Sequence, residues 1–350
     1  QAGRAAPCAP FRAAARAGHA AVAATAIDHG APIVSSGITE ITAGAGPAYR
    51  GHIAIDLARR DVSFEKVCEL LWSSSLDLAK PTTWRIPARA QALVSDAYGK
   101  ILPNGKHQIY ESLAMLALQL ARTDGLFGST SIGKSAGEEA KLLICASTEL
   151  LGCLGPQQRP AQLGRSELIA AAVTRAFGGE ATPTRVRAVN SMLVLLADHE
   201  LPPGTLAVRA AASGGARLFD CIAAGICASA GTEIAGHYGV VDRFLSTRPT
   251  YASLREKTLR LYKSGLRIPG FTHPIYPRGD PRATYLLEIA AEVCGDLFPM
   301  GQVMAFLRWA ADEFDSHPRH EFAVVCLVRA LGLPSWCASA IFLLARMGGW

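Results

Sequence analysis

The chain has 350 residues, a formal net charge of +6, and 18% charged against 50% hydrophobic residues. This length allows one large domain or two, and the low charged fraction favours extensive buried helix surface or a large subunit interface. The modest charge, without a run of five or more Lys or Arg, argues against a nucleic-acid groove, and the lack of an 18-residue apolar run argues against a membrane span.

Helical patterns dominate the chain. Residues 31–52 contain four glycines and two prolines and are expected to form short extended pieces and turns. A first helix is predicted after the N-cap candidate Ser63, where Val67 and Leu70 begin an apolar face. Strand-like alternation is nearly absent, so the sequence predicts an all-α fold with a few short N-terminal strands. Further helices are predicted at 108–122, 138–153, 166–177, 184–197, 206–229, 251–264, 284–296, 301–314, 320–331 and 335–347.

The cysteines and the N-terminal composition bear on the cellular compartment. Nine cysteines, an odd number without a C-x-x-C pair, are interpreted as reduced and mostly buried thiols of an intracellular protein, and we expect a cytoplasmic location. The first thirty residues are Ala-rich and Arg-containing with no acid before Asp28, a composition shared by organelle transit segments and by biased coding. The cysteines are Cys8, Cys68, Cys145, Cys153, Cys221, Cys227, Cys294, Cys326 and Cys337.

The segment 270–283, GFTHPIYPRGDPRA, concentrates polar loop chemistry. Its three prolines and two glycines exclude a continuous helix, so we predict a shaped loop that presents His273, Arg278, Asp280 and Arg282. A histidine and two arginines on a rigid loop suit an anionic ligand, because Arg offers a planar fork of donors and His another donor. A Pro-rich turn with solvated charges explains the same composition equally well.

Three further polar segments interrupt the helical pattern. Residues 197–201 follow an apolar run and contain His199, which a buried helix end also accommodates as a satisfied core histidine. Residues 231–239 form a Gly-punctuated break, which is typical of close backbone approach. In 317–322, Glu321 is expected in the first turn of a helix, where simple dipole complementarity also explains a carboxylate.

These four sites, in this order and spacing, resemble the citrate synthase family. Family members carry segments similar to ADHELNAST, GPLHGGAN, GFGHRVYKTGDPRA, PNVDFYSG and ARTAGW. The corresponding stretches here are 197–201 with Thr205, 231–238, 270–283, 318–322 and 345–350. Upstream, 49–52, 63–65 and 70–72 resemble the family's YRGYPIEELA and SFEEVAYLLW segments. The resemblance covers roughly residue 33 to the end and is most specific at 198–200 and 270–283.

The resemblance implies a mostly helical dimer whose subunits each have a large and a small domain. The large domain is expected at 1–235, with 332–350 returning to it, and the small domain, which closes on substrate, at 236–331. Family members condense an acyl-CoA, usually acetyl-CoA, with a 2-oxo acid such as oxaloacetate and then hydrolyse the thioester. Coenzyme A thioester is therefore a substrate, and no bound cofactor or metal is expected. The partner subunit is a second copy or a paralogue.

The resemblance also implies residue roles. His199 and His273 match the histidines that contact oxaloacetate, and His273 would also polarise its keto group. Arg282 and Arg346 match arginines that grip substrate carboxylates, for which a bidentate guanidinium is suited. Arg278 is a candidate for the CoA phosphates, although an exposed loop arginine is more often simply solvated.

Two departures from the family pattern concern the enolising groups. Ile234 occupies the position of the histidine of GPLHGG that donates to the thioester oxygen. His237 lies three residues later and is the candidate donor if a local insertion brings it into register. Without such a shift it lies roughly 4.5 Å along a helix axis and about 60° around it, which is too far to replace that histidine. Glu321 replaces the catalytic Asp of PNVDF, and a misplacement of about 1 Å costs on the order of a hundredfold. Two functions are therefore compatible with the sequence: an active acyltransferase, or a catalytically impaired member that binds a di-acid or CoA as a regulatory or heteromeric partner subunit.

Overall fold

Three short antiparallel strands open the part of the chain that the computed structural model describes, which comprises residues 37–79, 82–101, 109–122 and 132–350. The strands are β1 (Thr39–Thr42), β2 (Gly46–Tyr49) and β3 (His52–Ile53), in the order β1-β2-β3. Tyr49 pairs with Thr39 on one side and with His52 on the other. The expected short extended pieces near the N-terminus are therefore present.

Helices make up most of the rest, which confirms the predicted all-α class. Residues Ile38–Trp350 form one compact unit. The fifteen helices of the described ranges are α1 (Ala54–Arg59), α2 (Phe64–Ser73), α3 (Ala88–Ile101), α4 (Ile109–Ala121), α5 (Ile132–Leu154), α6 (Ile169–Ala176), α7 (Pro183–Leu196), α8 (Pro203–Ser213), α9 (Leu218–Ser229), α10 (His237–Leu245), α11 (Tyr251–Lys263), α12 (Pro281–Val293), α13 (Met300–Phe314), α14 (His320–Ala330) and α15 (Cys337–Arg346).

Side-chain caps explain where several helices begin. The predicted cap Ser63 accepts a hydrogen bond from the backbone N–H of Lys66 at the start of α2. Thr182 caps α7 in the same way, and Thr250 forms a reciprocal capping box with Ser253 at α11. These oxygens satisfy N–H groups that the first turn of a helix leaves without an internal partner.

The helix predicted at 206–229 was wrong, because two helices occupy this region. α8 ends at Ser213 and α9 begins at Leu218. Between them Gly215 adopts φ +83°, a left-handed conformation that favours glycine and ends a right-handed helix. The Ala-rich sequence on both sides is continuous in helix propensity and conceals the break. Three further helices, α1, α3 and α10, were not predicted.

The loop predicted to extend through Arg282 is shorter than expected, because α12 begins at Pro281. Asp280 is its N-cap, and its side chain accepts from the backbone N–H of Arg282 at 3.0 Å. Proline is well tolerated at the first helical position, since the N–H it lacks has no partner there. Arg282 consequently lies on a rigid helix rather than on a loop, which fixes its direction.

The centre of the core is formed by α14 and α15. Ten of the eleven residues of α14 and all ten of α15 are buried, as expected for helices surrounded by others. α12 packs on α14 and α7, and α15 packs on α7 and α14. The ends of these four helices therefore meet in the interior. The division into large and small domains at 235/236 stays a prediction.

Three sequence expectations concern the cysteines, a membrane span and a metal site. Five of the eight described cysteines are buried, and Cys8 lies outside the described residues, as do residues 31–36 and 108. Within the described ranges, no helix combines the length and apolarity required to cross a membrane. No group of three or more potential metal ligands occurs in that same part of the chain.

Candidate active site

The candidate active site lies where the ends of α7, α12, α14 and α15 meet. His199 follows the C-terminus of α7, and Arg346 is the last residue of α15. Arg282 and Glu321 lie in the first turns of α12 and α14, and His273 lies on the segment that precedes α12. The positive charges of Arg282 and Arg346 both act on the buried His199, which places three predicted substrate contacts in one environment.

The segment that carries His273 is held against the N-terminus of α14. Phe271 and Pro318 form an antiparallel bridge, and the N–H of Thr272 donates to the carbonyl of His317 at 3.0 Å. Gly270 has φ +77°, and a Cβ there would lie 3.0 Å from that of Phe322, so only glycine fits without a shift. These contacts hold the backbone of residues 270–272 against the residues that precede and begin α14.

An aromatic cluster orients the two histidines. The Nε2 atom of His199 lies 2.9 Å from the hydroxyl oxygen of Tyr276. The ring centroids of His199 and His273 are 5.7 Å apart, and those of His273 and Tyr276 are 4.8 Å apart. Tyr276 was not identified from the sequence, although it coincides with the tyrosine of the GFGHRVYKTGDPRA segment. Tyr276 is buried and anchors a segment whose other loop residues are largely exposed.

Both histidines are neutral. Burial lowers the pKa of His199 well below its usual value, and Arg282 and Arg346 lower it further. Burial, with the charges of Arg319 and Arg282, lowers the pKa of His273 to about 4. The Nδ1 atom of His273 accepts the N–H of Ile275 at 3.1 Å, so the single ring proton is on Nε2. His273 is therefore set to donate through Nε2 at neutral pH.

Arg282 is fully buried in a bidentate pair with Asp280. Its Nε lies 3.0 Å from Oδ1 and its Nη2 lies 2.7 Å from Oδ2 of Asp280, while Nη2 is also 3.1 Å from Nδ1 of His320. Burial alone would raise the pKa of Asp280, but Arg282 and His320 hold it well below its usual range. Nη1 of Arg282 has no partner among the described residues.

Arg346 is buried and poorly paired. Its side chain is 3% exposed, and the closest approach to a carboxylate is 3.9 Å, from Nη1 to Oδ1 of Asp198. Within the described ranges, its Nε and Nη1 atoms have no hydrogen-bond partner. Burial lowers the pKa of Arg346, and the nearby charge of Arg282 adds to this effect. A buried cation with unsatisfied donors is costly, so the arrangement favours an anion between the two arginines.

Glu321 is buried and held by the residues directly before it. Its side chain is 4% exposed and forms a bidentate pair with Arg319, with Oε2–Nε 3.1 Å and Oε1–Nη2 2.5 Å. Nδ1 of His320 lies 3.3 Å from Oε2. Burial opposes ionisation, but the His320 imidazole and the Arg319 guanidinium outweigh it and lower the pKa of Glu321. Both oxygens of the predicted base are therefore engaged.

The residues directly before His237 do not form the helix on which the predicted offset between Ile234 and His237 is based. Residues 232–236 form turns, and α10 begins at His237, so the helical offset between Ile234 and His237 does not apply. Ile234 packs against the hydrophobic core. Nε2 of His237 accepts the N–H of Gly270 at 3.0 Å, which leaves the proton of the neutral ring on Nδ1. In its protonated form His237 would lower the pKa of Glu321, so the imidazole lies within electrostatic range of the predicted base.

Arg278 lies at a different place. It is exposed and lines a cavity of about 490 Å³ together with Arg59 and Tyr285. The Arg59 guanidinium lies over the Tyr285 ring at 5.2 Å from its centroid, and its Nη2 is 3.9 Å from the Glu288 carboxylate. The cavity is thus lined by two arginines and by Asp56, and Arg282 and Arg346 are not among its lining residues.

Arg319, His320 and Asp280 were assigned no role from the sequence. Arg319 and His320 stand where the family segment PNVDF has Asn and Val, so the departure itself is the signal that could have drawn attention to them. Asp280 precedes a proline at a helix start, and this pattern indicates an N-cap rather than a partner for Arg282. Their partners come from distant parts of the chain, which residue spacing does not reveal.

Asp280→Asn tests the buried pair, because asparagine keeps the N-cap acceptor and removes the charge. At pH 7 the variant should lose about 3–5 kcal/mol in the free energy of unfolding, since Arg282 remains buried without a counter-ion. The folded-state pKa of Asp280 is below its unfolded value, so the stabilisation is present above that value and is lost as the pH falls through the folded pKa. The difference between wild type and variant should therefore narrow below about pH 4.

Urea denaturation at pH 7 and pH 3.5 measures this difference. Asp242→Asn is the control, because its pair with Arg329 is partly exposed and should contribute only about 1 kcal/mol. Equal stability of Asp280→Asn and wild type at pH 7, or a difference that widens in acid, would show that the buried pair does not stabilise the site.

The comparisons with known proteins all point to the same family. The citrate synthase of Corynebacterium glutamicum is 30% identical over 183 residues, which are 49% of this chain and 42% of that protein. The aligned part thus spans less than half the length of that relative. The profile described as "Citrate synthase, C-terminal domain" matches residues 28–350.

Solved structures show the same fold. Citrate synthase of Thermoplasma acidophilum, in a ternary complex with carboxymethyl coenzyme A and oxaloacetate, is similar with a TM-score of 0.77 at 19% identity, over 91% of this chain and 88% of that one. For the Thermotoga maritima enzyme the TM-score is 0.73 at 21% identity, over 92% and 88%. Together with the profile match over most of the sequence, these similarities show that the chain belongs to the citrate synthase family.

Proposed function

We propose that the protein condenses an acyl-CoA, with acetyl-CoA the first candidate, with a 2-oxo acid such as oxaloacetate and releases CoA. One observation carries this proposal: two buried arginines, Arg282 and Arg346, keep unpaired N–H donors beside two neutral histidines. Such an arrangement suits a small di-acid, because each guanidinium binds a carboxylate and the imidazoles bind the group between them. The complex of the Thermoplasma acidophilum relative with oxaloacetate supports the same ligand class.

In the proposed recognition step, Arg282 and Arg346 each take one carboxylate of the 2-oxo acid. The Nε2–H of His273 donates to the keto oxygen, which makes the keto carbon more electrophilic. His199, held by Tyr276, completes the donor set. All four groups are in place before the ligand arrives, so little reorganisation opposes binding.

In the proposed chemical step, the Glu321 carboxylate removes a proton from the α-carbon of the thioester. The Nδ1–H of His237 donates to the thioester oxygen while negative charge develops there. The resulting enolate attacks the keto carbon, forms the new carbon–carbon bond and leaves an alkoxide that takes up a proton. Water then cleaves the thioester, which releases CoA and a carboxylate.

A thiol-release assay with acetyl-CoA and a panel of 2-oxo acids tests this reaction. CoA should appear only when both substrates are present, with oxaloacetate among the productive partners. If no pair of acyl-CoA and 2-oxo acid releases CoA above background, the proposed reaction is wrong. Longer acyl-CoA substrates belong in the panel, because the acyl group is set by the substrate pocket and not by the carboxylate contacts.

The CoA phosphates are proposed to bind at the cavity lined by Arg278 and Arg59. Arg278→Gln should raise the KM for the acyl-CoA about tenfold, the size expected for one charge-assisted contact, and leave the KM for the 2-oxo acid unchanged. Arg267→Gln, an exposed loop arginine before the same segment, is the control. An unchanged KM for the acyl-CoA in Arg278→Gln would exclude Arg278 from the phosphate site.

A second function is favoured by specific observations. Ile234 packs against the core and cannot donate, and Glu321 is paired with Arg319. A member with impaired chemistry would still bind a di-acid, because recognition and enolisation use different residues. It would serve as a regulatory or heteromeric subunit of an active paralogue. Calorimetric binding of oxaloacetate without CoA release favours this function, and turnover by the isolated protein, as a homodimer, rejects it.

A further inference from the structure

Arg319 is an unusual residue for its position in the fold. It is the N-cap residue of α14, and its side chain forms no capping hydrogen bond. Ser, Thr, Asp and Asn are preferred there, because their oxygens accept from the first turn of the helix. The family segment PNVDF places Asn at this position. Helix formation therefore does not explain the arginine.

Asp280 serves the N-terminus of α14 in place of a local cap. Its Oδ2 atom accepts the backbone N–H of His320 at 3.3 Å, and its Oδ1 atom caps α12 through Arg282. One carboxylate thus serves the starts of two helices. The Arg319 side chain is free of this task, and its backbone N–H is bound by the carbonyl of Gly270 at 2.7 Å.

The guanidinium of Arg319 contacts Glu321 and lies within electrostatic range of His273. It holds both oxygens of Glu321, and it is the strongest of the charges that lower the pKa of His273. Glu321 is the proposed base and His273 the proposed donor to the keto group. The charge of Arg319 therefore acts on the place where the two substrates must meet.

Other titratable and charged groups also face Glu321. From its own helix comes His320, and from α10 come His237 and the buried Tyr238. Behind them, the Asp280–Arg282 pair of α12 contacts His320, and Arg346 of α15 acts on Tyr238. The Arg282 and Arg346 side chains are 0% and 3% exposed, whereas that of Arg319 is 25% exposed. Of these three arginines, Arg319 has the most exposed side chain.

We propose that Arg319 is a positioning residue that clamps Glu321 in a resting state and leaves it when the anionic 2-oxo acid occupies the pocket. The inference rests on the proposed condensation. With both oxygens held by a guanidinium, the carboxylate is a weak base, because the opposite charge stabilises its ionised form. A ligand held by Arg282 and Arg346 brings its negative charge close to His273, and this charge draws the Arg319 guanidinium away from Glu321, so ligand binding frees the base at the moment when it is needed.

The pH dependence of steady-state turnover separates the clamped from the released base. The acid limb of kcat/KM for the 2-oxo acid reports the enzyme before this ligand binds, and the acid limb of kcat reports the complex. Arg319→Asn should move the limb of kcat/KM to higher pH by about one unit, the lower end of the effect of an adjacent opposite charge. The limb of kcat should stay where it is in wild type.

Three further variants make the result specific. Arg319→Lys keeps the charge and should hold the limb of kcat/KM near that of wild type. Arg329→Gln removes a second arginine of α14, one paired with Asp242, and should leave both limbs unchanged. Arg319→Asn should fold, since Asn is a favoured N-cap, and Arg319→Gln gives the same charge change if it does not.

The outcomes are distinguishable. An unmoved limb of kcat/KM in Arg319→Asn, with turnover intact, overturns the clamp and leaves the proposed function standing. Equal movement of both limbs overturns the release of Glu321 by the ligand. If neither wild type nor any variant releases CoA with any substrate pair, the proposed function itself fails, and the inference fails with it.

Discussion

Glu321→Gln is expected to lower kcat by about 10²–10⁴-fold, the contribution of a positioned general base. Gln keeps the shape of the side chain but cannot take a proton from the α-carbon. The KM for oxaloacetate should not rise, because its proposed ligands lie on α12, α15 and the segments of His199 and His273, and the loss of the Glu321 charge leaves Arg319 free for the ligand. Stability should also change little, since Arg319 is a quarter exposed and can turn to solvent.

Two variants control this result. Glu288→Gln changes an exposed carboxylate of α12, more than half exposed, and should leave turnover unchanged. Glu321→Asp restores the side chain of the family segment and should retain turnover within about a hundredfold of wild type, the effect of a displacement near 1 Å. Turnover of Glu321→Gln within tenfold of wild type would show that another group is the base.

Arg346→Met is expected to weaken oxaloacetate binding by about a hundredfold or more, since truncation of one partner of a buried charge contact costs 2–5 kcal/mol. Its effect on folding should be smaller than that of Arg282→Met, because Nε and Nη1 of Arg346 form no hydrogen bond, the nearest carboxylate oxygen, on Asp198, is 3.9 Å away, and Met is similar in length. Calorimetric titration with oxaloacetate and thermal unfolding of the same samples measure the two effects.

Arg282→Met is the informative contrast. It leaves Asp280 buried without its cation, so it should lose about 3–5 kcal/mol in the free energy of unfolding as well as affinity. Wild-type affinity in Arg346→Met would exclude Arg346 from the site. A larger loss of stability in Arg346→Met than in Arg282→Met would show that the unpaired donors have partners in solution.

The two proposed halves of the site differ in how their charges are satisfied. Arg282 and Arg346 retain donors for an external anion, whereas Glu321 is satisfied by Arg319 within the protein. Before a ligand binds, the two arginines can therefore accept an anion, whereas the paired Glu321 is a weak base for proton abstraction. This difference explains why the ligand-binding function and the acyltransferase function are both compatible with one set of residues. Under the clamp proposal, release of Glu321 by Arg319 distinguishes the two functions.

Sequence periodicity was sufficient for the fold class. The apolar spacing of the helices and the cap at Ser63 predicted most elements, because these signals are local. Local signals also explain the failures. Gly215 breaks a continuous Ala-rich pattern between α8 and α9, and the Asp-Pro pair at 280–281 starts a helix where prolines had indicated a loop. Such breaks depend on backbone conformation rather than on composition.

The site was predicted only in part. The structure brings Arg282 and Arg346 within electrostatic range of His199, and the family segments had drawn attention to all three residues. Spacing revealed neither the contact of His320 with Asp280, forty residues away, nor the bond from Gly270 to His237, thirty-three residues away. These contacts determine the tautomer of His237 and the pairing of Asp280. They depend on tertiary packing and not on neighbouring residues in the sequence. The roles themselves stay predictions.

Condensation itself is tested most directly by following the carbon atoms. The isolated protein is incubated with oxaloacetate and acetyl-CoA labelled with carbon-13 in both acetyl carbons, and the products are identified by mass spectrometry. A tricarboxylate that carries both labelled carbons, formed in equal amount with free CoA and formed about a hundredfold or more slowly by Glu321→Gln, is the expected result. Bound oxaloacetate without a labelled product would contradict the acyltransferase function and leave a ligand-binding member of the family.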